Sequence, residues 1–214
     1  MYEADKYKII EGIDNLIKAV EIKLLPAFSN IEEEAKEIED KTLEESHSRF
    51  NPETMDPSQF YEDAYFTGVE HYLMYTQMKN DFLNMTTVWL YHLFEQDCNK
   101  IFTDKKWKDR KAKLTVLLVS STFPSNFYKI NEELQHICDI NKHGEEGADR
   151  AKAKLLVIRP DLFDSKTKPM FMSNPSITTH TLKNISLEQL IEYAEYMKLF
   201  WNELYEASQS KKSM

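Results

Sequence analysis

Apolar residues recur at steps of three and four along most of this chain, which is the pattern of helices that bury one face. The pattern predicts a first helix from about Asp5 to Leu25, ended by Pro26. A second helix is expected to begin after Asn30. A long helical stretch follows over 58–102, either continuous or broken near Asn80-Asp81. These elements make the first half of the chain helical.

The second half predicts further helices and one long loop. The segment from Lys106 to Ser121 is ambiguous, because its apolar run also suits a strand; we favour a helix. Another helix is expected from about Ser125 to a stop at Gly144. Residues 164–186, rich in Ser and Thr and containing two prolines, predict a loop. A final helix follows, with Ser186 and Gln189 spaced as a capping box.

Together these elements predict an all-α fold, a helical bundle with irregular loops. The 214 residues suffice for one sizeable core, and four glycines and seven prolines provide few turns for an all-β fold. We therefore expect one domain over 1–214. Within it, residues 31–48 include eight acidic side chains and a thin apolar stripe, which predicts a surface helix or a projecting arm.

Composition also bears on the compartment. Two cysteines, Cys98 and Cys138, lie in predicted helices without metal-ligand spacing, which favours reduced thiols over a disulfide framework. The amino terminus lacks a signal-length apolar run, and no segment approaches the roughly 18 apolar residues that a membrane helix needs. We expect a cytoplasmic protein that does not enter a membrane and that needs no cofactor.

The helix that stops at Gly144 carries the most concentrated polar chemistry. Asn131, Gln135, Asp139 and His143 are spaced by four, so they form a polar row along this helix. Asn141 falls instead within the apolar stripe, where an unpaired carboxamide would cost about 1 to 3 kcal/mol. It is expected to bond to backbone or to a partner surface.

His143 allows two interpretations. A basic side chain in the last turn of a helix interacts favourably with the negative end of the helix dipole. Alternatively, His143 is a general acid and base, since imidazole has an unperturbed pKa near neutrality. The residue alone does not decide between the two.

The block from Lys142-His143-Gly144 to Arg159-Pro160-Asp161-Leu162-Phe163 resembles a group of bacterial helical proteins related to the HEPN superfamily. Trp89 to Gln96, Tyr193 and Phe200-Trp201 agree with this, so the resemblance covers about residues 82 to 204. It implies a helical bundle that forms homodimers. Many HEPN proteins are metal-independent endoribonucleases of toxin-antitoxin and phage-defence systems, with an Arg, a polar residue and a His as their signature.

This chain departs from that signature, because residues 136–138 contain no arginine. Related proteins carry Arg where this sequence has Gln135 and Asn where it has Asp139; His143 alone matches. Without a guanidinium beside the phosphate, cleavage of RNA loses its main electrostatic contributor. We therefore predict a binding component, for a protein or RNA partner, that does not catalyse cleavage. The alternative is a divergent endoribonuclease in which His143 acts with Asp139, and Lys142 or Arg150 replaces the arginine.

Charge is distributed unevenly along the chain. The net charge is -9, but residues 1–100 have 9 basic and 21 acidic side chains, whereas residues 101–170 have 14 basic and 10 acidic ones. A basic surface near the polar row suits a phosphate or an acidic partner, and a solvated helix face is the simpler alternative. Gln135, Asn141, Lys142, Arg150 and Arg159 are the candidate binding residues.

A metal site is disfavoured by the sequence. Glu44 with His47 and Glu133 with His136 have the Glu-x-x-His spacing of di-iron bundles, but neither pair falls on an apolar helix face. We predict no bound metal.

Overall fold

The computed structural model describes residues 2–51, 53, 55–102, 106–117, 123–168 and 177–210. This part of the chain is all-α except for one hairpin, as the sequence predicts. The helices are α1 Glu3–Ala19, α2 Ile31–His47, α3 Pro57–Ile101, α4 Trp107–Leu117, α5 Phe123–Tyr128, α6 Gln135–Gly147, α7 Asp149–Ile158 and α8 Leu187–Ser210, and the strands are β1 Phe163–Lys168 and β2 Ile177–Leu182.

Short irregular helical segments continue several of these helices. Val20–Leu24 is π-helical and Leu25–Phe28 is a 3-10 turn, so the first helix ends where Pro26 predicts. Lys129–Leu134 is also π-helical and joins α5 to α6, and a 3-10 turn at Pro160–Leu162 follows α7. The long helix α3 is continuous through Asn80-Asp81.

The chain divides into two compact units. The core unit comprises Met1–Ile17 and Leu83–Met214, and the acidic unit comprises Lys18–Phe82, so α1 and α3 each contribute to both. The prediction of one domain over 1–214 stays a prediction, since compact units within a chain are not in themselves separate domains.

Aromatic side chains from distant segments form the centre of the core unit. Phe94 of α3 contacts Phe200 and Trp201 of α8, with ring centroids 5.4 and 5.8 Å apart. Phe127 of α5 stacks on Phe200 at 5.8 Å. Phe94, Phe200 and Trp201 are almost fully buried, so the last helix packs against both α3 and α5. The capping box of α8 is present: Gln189 N–H donates to Ser186 Oγ at 3.2 Å, and Ser186 N–H donates to Gln189 Oε1 at 2.9 Å.

The acidic unit contains a close helix pair formed by α2 and the first half of α3. A Cβ atom on Gly68 would lie 2.8 Å from the carbonyl oxygen of Ala35, so only glycine permits this approach. The segment 31–48, predicted as an acidic surface helix or arm, is helix α2, and its residues Ile31 and Ala35 are buried. The remaining side chains of α2 are half-buried or exposed.

The prediction of a loop over 164–186 is wrong for residues 164–168 and 177–182. The antiparallel strands β1 and β2 lie there, with Phe163 opposite Leu182 and Ser165 opposite His180. The Ser and Thr residues that indicated a loop alternate with Lys, Ile and His, and β-branched threonine favours strands. Ser165 Oγ lies 2.8 Å from His180 Nδ1, which pairs the two strands directly. Residues 169–176 of the predicted loop lie outside the described part.

Candidate functional site

The site is built on the junction between α6 and α7, which pack against each other as a helical hairpin. Gly144 interrupts α6 with φ 71° and ψ 167°. The positive φ agrees with the predicted helix stop, but the ψ lies outside the left-handed helical region in which many helices end. A Cβ on Gly147 would lie 3.2 Å from Cβ of His143, so this glycine lets the chain pass close to the histidine.

A groove of about 390 Å³ lies along this hairpin. The α6 helix contributes one polar side to it, and the start of α7 contributes two cations, Arg150 and Lys154. We call this the α6–α7 groove; it is lined by Gln135, His136, Asp139, His143, Gly147, Ala148, Arg150, Ala151 and Lys154. Predicted site residues Gln135, Asp139, His143 and Arg150 therefore meet in one place.

The two histidines of the groove differ in environment. His143 is exposed, whereas His136 is 7% exposed. Among the described residues, neither ring nitrogen of His136 has a hydrogen-bond partner. The nearest carboxylate oxygen, Glu132 Oε2, lies 3.8 Å from Nε2, which is too long for a hydrogen bond. An imidazole with two hydrogen-bonding nitrogens therefore lines the groove without using either.

The electrostatics of His136 favour its neutral form. Burial lowers its pKa below the ordinary histidine value, and the positive charges of Lys154 and Arg150 lower it further. Glu132 and Asp139 act in the opposite direction and do not outweigh these effects. A neutral imidazole can both donate and accept a hydrogen bond, but both ring nitrogens of His136 are buried from solvent.

Three predicted binding residues lie outside the groove lining. Lys142 is exposed on α6. Asn141 is half-buried, and its buried Nδ2 has no hydrogen-bond partner among the residues that the structure describes. The backbone or partner contact that we expected for this carboxamide is therefore not made by Nδ2 within the described chain.

Arg159 belongs to a separate polar cluster. Its Nη1 donates to Glu133 Oε2, and its Nη2 and Nε donate to Asp161 at 2.8 and 2.9 Å. Glu133 is 2% exposed, and it also pairs with Lys129 Nζ at 2.8 Å and accepts from the Tyr193 hydroxyl at 3.3 Å. Lys129, Arg159 and Tyr193 together compensate this buried carboxylate, so the contacts of Arg159 are structural.

His136 and Lys154 are groove residues that sequence reasoning missed. Both had a signal in the spacing: His136 precedes Asp139 by three and His143 by seven, and Lys154 follows Arg150 by four. Such steps place side chains on one side of a helix. Asn131, the first residue of the predicted polar row, lies in the π-helical turn Lys129–Leu134; it is buried and does not line the groove.

Other chemistry receives little support from the described part of the chain. It holds no group of three or more His, Cys, Asp and Glu side chains placed to bind a metal. Burial raises the pKa of the Cys98 and Cys138 thiols, which opposes thiolate chemistry there. Within the same residues, none of the helices combines the length and the apolar character needed to cross a bilayer.

Comparison of the chain with protein-family models, with curated proteins and with solved structures finds no match.

Proposed function

We propose that this protein binds RNA through phosphate contacts in the α6–α7 groove, as a component that does not cleave it. One observation carries the proposal: Arg150, Lys154, His143 and Gln135 line one groove with His136, whose buried ring nitrogens have no hydrogen-bond partner among the described residues. Guanidinium and ammonium groups bind phosphate, and an imidazole and a carboxamide supply further hydrogen bonds. The resemblance to HEPN proteins supports RNA as the ligand and a bacterial defence or toxin-antitoxin setting.

The core unit is better suited to a polyanion than the net charge of the chain suggests. The acidic unit contains 15 acidic and 6 basic side chains, a net charge of -9, which equals that of the whole chain. The core unit has 21 of each, and its basic residues include the two cations of the groove. Binding is therefore expected to be moderate and sensitive to salt, because few phosphate contacts are available.

The test is the affinity for a labelled single-stranded RNA, measured by fluorescence anisotropy at several salt concentrations. Arg150→Ala is expected to weaken binding about tenfold and to reduce the salt slope by about one phosphate contact. Lys108→Ala, which removes an exposed cation of α4 outside the groove lining, is the matched control and should change affinity by less than about twofold. Equal losses in the two variants would contradict a site in the groove.

A divergent endoribonuclease is the second candidate, and one observation favours it. Two imidazoles and a guanidinium line the same groove, which supports Arg150 as a replacement for the arginine that the HEPN signature has and this chain lacks. In this reaction, the ribose 2′-hydroxyl attacks the adjacent phosphorus while a base takes its proton. An acid protonates the departing 5′ oxygen, which leaves a cyclic phosphate. His143 would take one role, with Asp139 beside it.

The two candidates differ in their products. Under the binding proposal, prolonged incubation leaves bound RNA intact, and His143→Ala folds normally while binding RNA more weakly. Cleavage by the purified wild type that disappears in His143→Ala would instead establish the nuclease. Circular dichroism of the variant separates loss of function from loss of fold.

A further inference from the structure

Helix α3 has two unlike sides within the acidic unit. The side toward α2 includes the buried Ala64, the tightly packed Gly68, and His71, whose Nε2 lies 3.5 Å from Glu34 Oε2. These positions follow steps of three and four along the helix, so they share one side. The other side of α3 faces away from α2.

Large apolar side chains lie on that other side. Phe66, Leu73 and Met74 are 57%, 59% and 53% exposed. Phe66 and Leu73 are seven residues apart, so they lie on the same side of the helix, roughly opposite Ala64 and Gly68, and Met74 lies at the edge of that side. Single exposed apolar residues are ordinary, but a phenylalanine, a leucine and a methionine on two turns of one helix side mark an interaction surface.

Acidic side chains alternate with these apolar groups. Glu62, Asp63 and Glu70 are exposed and lie within the same arc of the helix as Phe66 and Leu73. Among the residues that the structure describes, none of the three carboxylates forms an ion pair. We call these six residues the acidic–apolar face of α3: Glu62, Asp63, Phe66, Glu70, Leu73 and Met74.

We propose that the acidic–apolar face of α3 is a docking site for a basic amphipathic helix of a partner protein. The apolar row of such a helix would pack on Phe66, Leu73 and the adaptable thioether side chain of Met74. Its Lys and Arg residues would meet Glu62, Asp63 and Glu70. The complementarity of charge extends beyond the face, because the whole acidic unit has a net charge of -9.

The same charge argues against a second copy of this chain as the occupant. Pairing the face with its own symmetric equivalent would bring together two units of charge -9 and oppose three carboxylates with three others. A basic helix removes this repulsion and adds attraction. The inference does not depend on RNA binding, which concerns the other compact unit.

The experiment uses the full chain and a fluorescent synthetic peptide of about 18 residues, with leucine at helical spacing and lysine elsewhere. Anisotropy measures binding to the wild type and to three variants. The first is Phe66→Ser with Leu73→Ser, the second is Glu62→Gln with Asp63→Asn and Glu70→Gln, and the third is Glu33→Gln with Glu37→Gln and Glu44→Gln. The third variant removes the same charge from exposed residues of α2 and is the matched control.

Both face variants are expected to weaken peptide binding about tenfold, and the α2 control by less than about threefold. Val157→Ser and Leu199→Ser are further controls at exposed apolar positions of the core unit. Their affinity for the peptide should equal that of the wild type. RNA affinity should stay unchanged in both face variants.

Two results would overturn the proposal. If the α2 control loses as much affinity for the peptide as the charge variant of the face, the peptide responds only to overall charge. If the wild type instead sediments as an oligomer that becomes a monomer in the variant Phe66→Ser with Leu73→Ser, the face binds a second copy of this chain. Circular dichroism confirms in each case that the variants are folded.

Discussion

At the scale of residues, the structure separates polar groups that hold the fold from polar groups that face the groove. Glu133 and Arg159 are bonded to each other and to further partners, whereas His136 is buried with both ring nitrogens unpaired among the described residues. An unsatisfied buried polar group lowers stability by about 1 to 3 kcal/mol. The two kinds of residue are therefore expected to respond oppositely to substitution.

Arg159→Met should lower the free energy of unfolding by about 2 kcal/mol, because it leaves the buried Glu133 carboxylate with fewer charged partners. Urea denaturation measures this loss. The double variant with Glu133→Gln should recover part of it, since the uncompensated charge is then gone. RNA affinity of folded Arg159→Met should match the wild type; a selective loss of RNA binding at unchanged stability would restore Arg159 as a binding residue.

The stability of the protein should fall on acidification through His136. Its folded pKa lies below that of the unfolded chain, so the unfolded state takes up the proton first as pH falls below about 6.5. This contribution is present above that pH and is lost as pH falls toward the lowered folded pKa. In His136→Gln, the decrease in Tm from pH 8 to pH 5 should be smaller than in the wild type. His180→Gln is the control, and equal pH dependence in His136→Gln and wild type would contradict the assignment.

At the scale of elements, the groove depends on the interruption of α6 at Gly144. Its φ of 71° and ψ of 167° fall in a region that is essentially restricted to glycine and costs other residues about 1 to 3 kcal/mol. This conformation directs the chain from α6 into α7 and brings Gly147 against His143. The geometry of the helix pair therefore depends on Gly144 and on Ala148, which separates α6 from α7 with φ -121° and ψ 30°.

Gly144→Ala and Gly144→Asn should destabilise the protein equally, by about 1 to 3 kcal/mol. Asparagine tolerates the left-handed helical region better than alanine, but not the observed ψ. Thermal unfolding of the two variants distinguishes the conformations. A clearly more stable asparagine variant would show that Gly144 is left-handed helical.

The sequence predicts the helices well and the details of the site only in part. Periodicity places α2, α3 and α8 because their apolar positions follow one helical repeat. It does not reveal the π-helical turn Lys129–Leu134, whose extra residue per turn changes which polar groups share a side. Asn131, which lies in this turn, is buried and does not line the groove. Pairing of β1 with β2 depends on contacts between distant residues, which local composition does not show.

At the scale of the whole molecule, charge is divided between the two compact units. The acidic unit accounts for the net charge of -9, and the core unit contains the groove with Arg150 and Lys154. This division allows one chain to offer a site for a phosphate and a site for a basic helix. The expected homodimer and the cytoplasmic location stay predictions.

The most direct test of the central claim is the imidazole spectrum of the protein in solution, recorded by NMR with and without a short single-stranded RNA. The chain has six histidines, and His92 and His180 of the core unit lie outside the groove lining. We predict that RNA shifts the His136 and His143 signals and raises the pKa of His136, because a phosphate favours the charged imidazole. The signals of His92 and His180 should stay in place. RNA that binds without moving the two groove histidines would contradict the account.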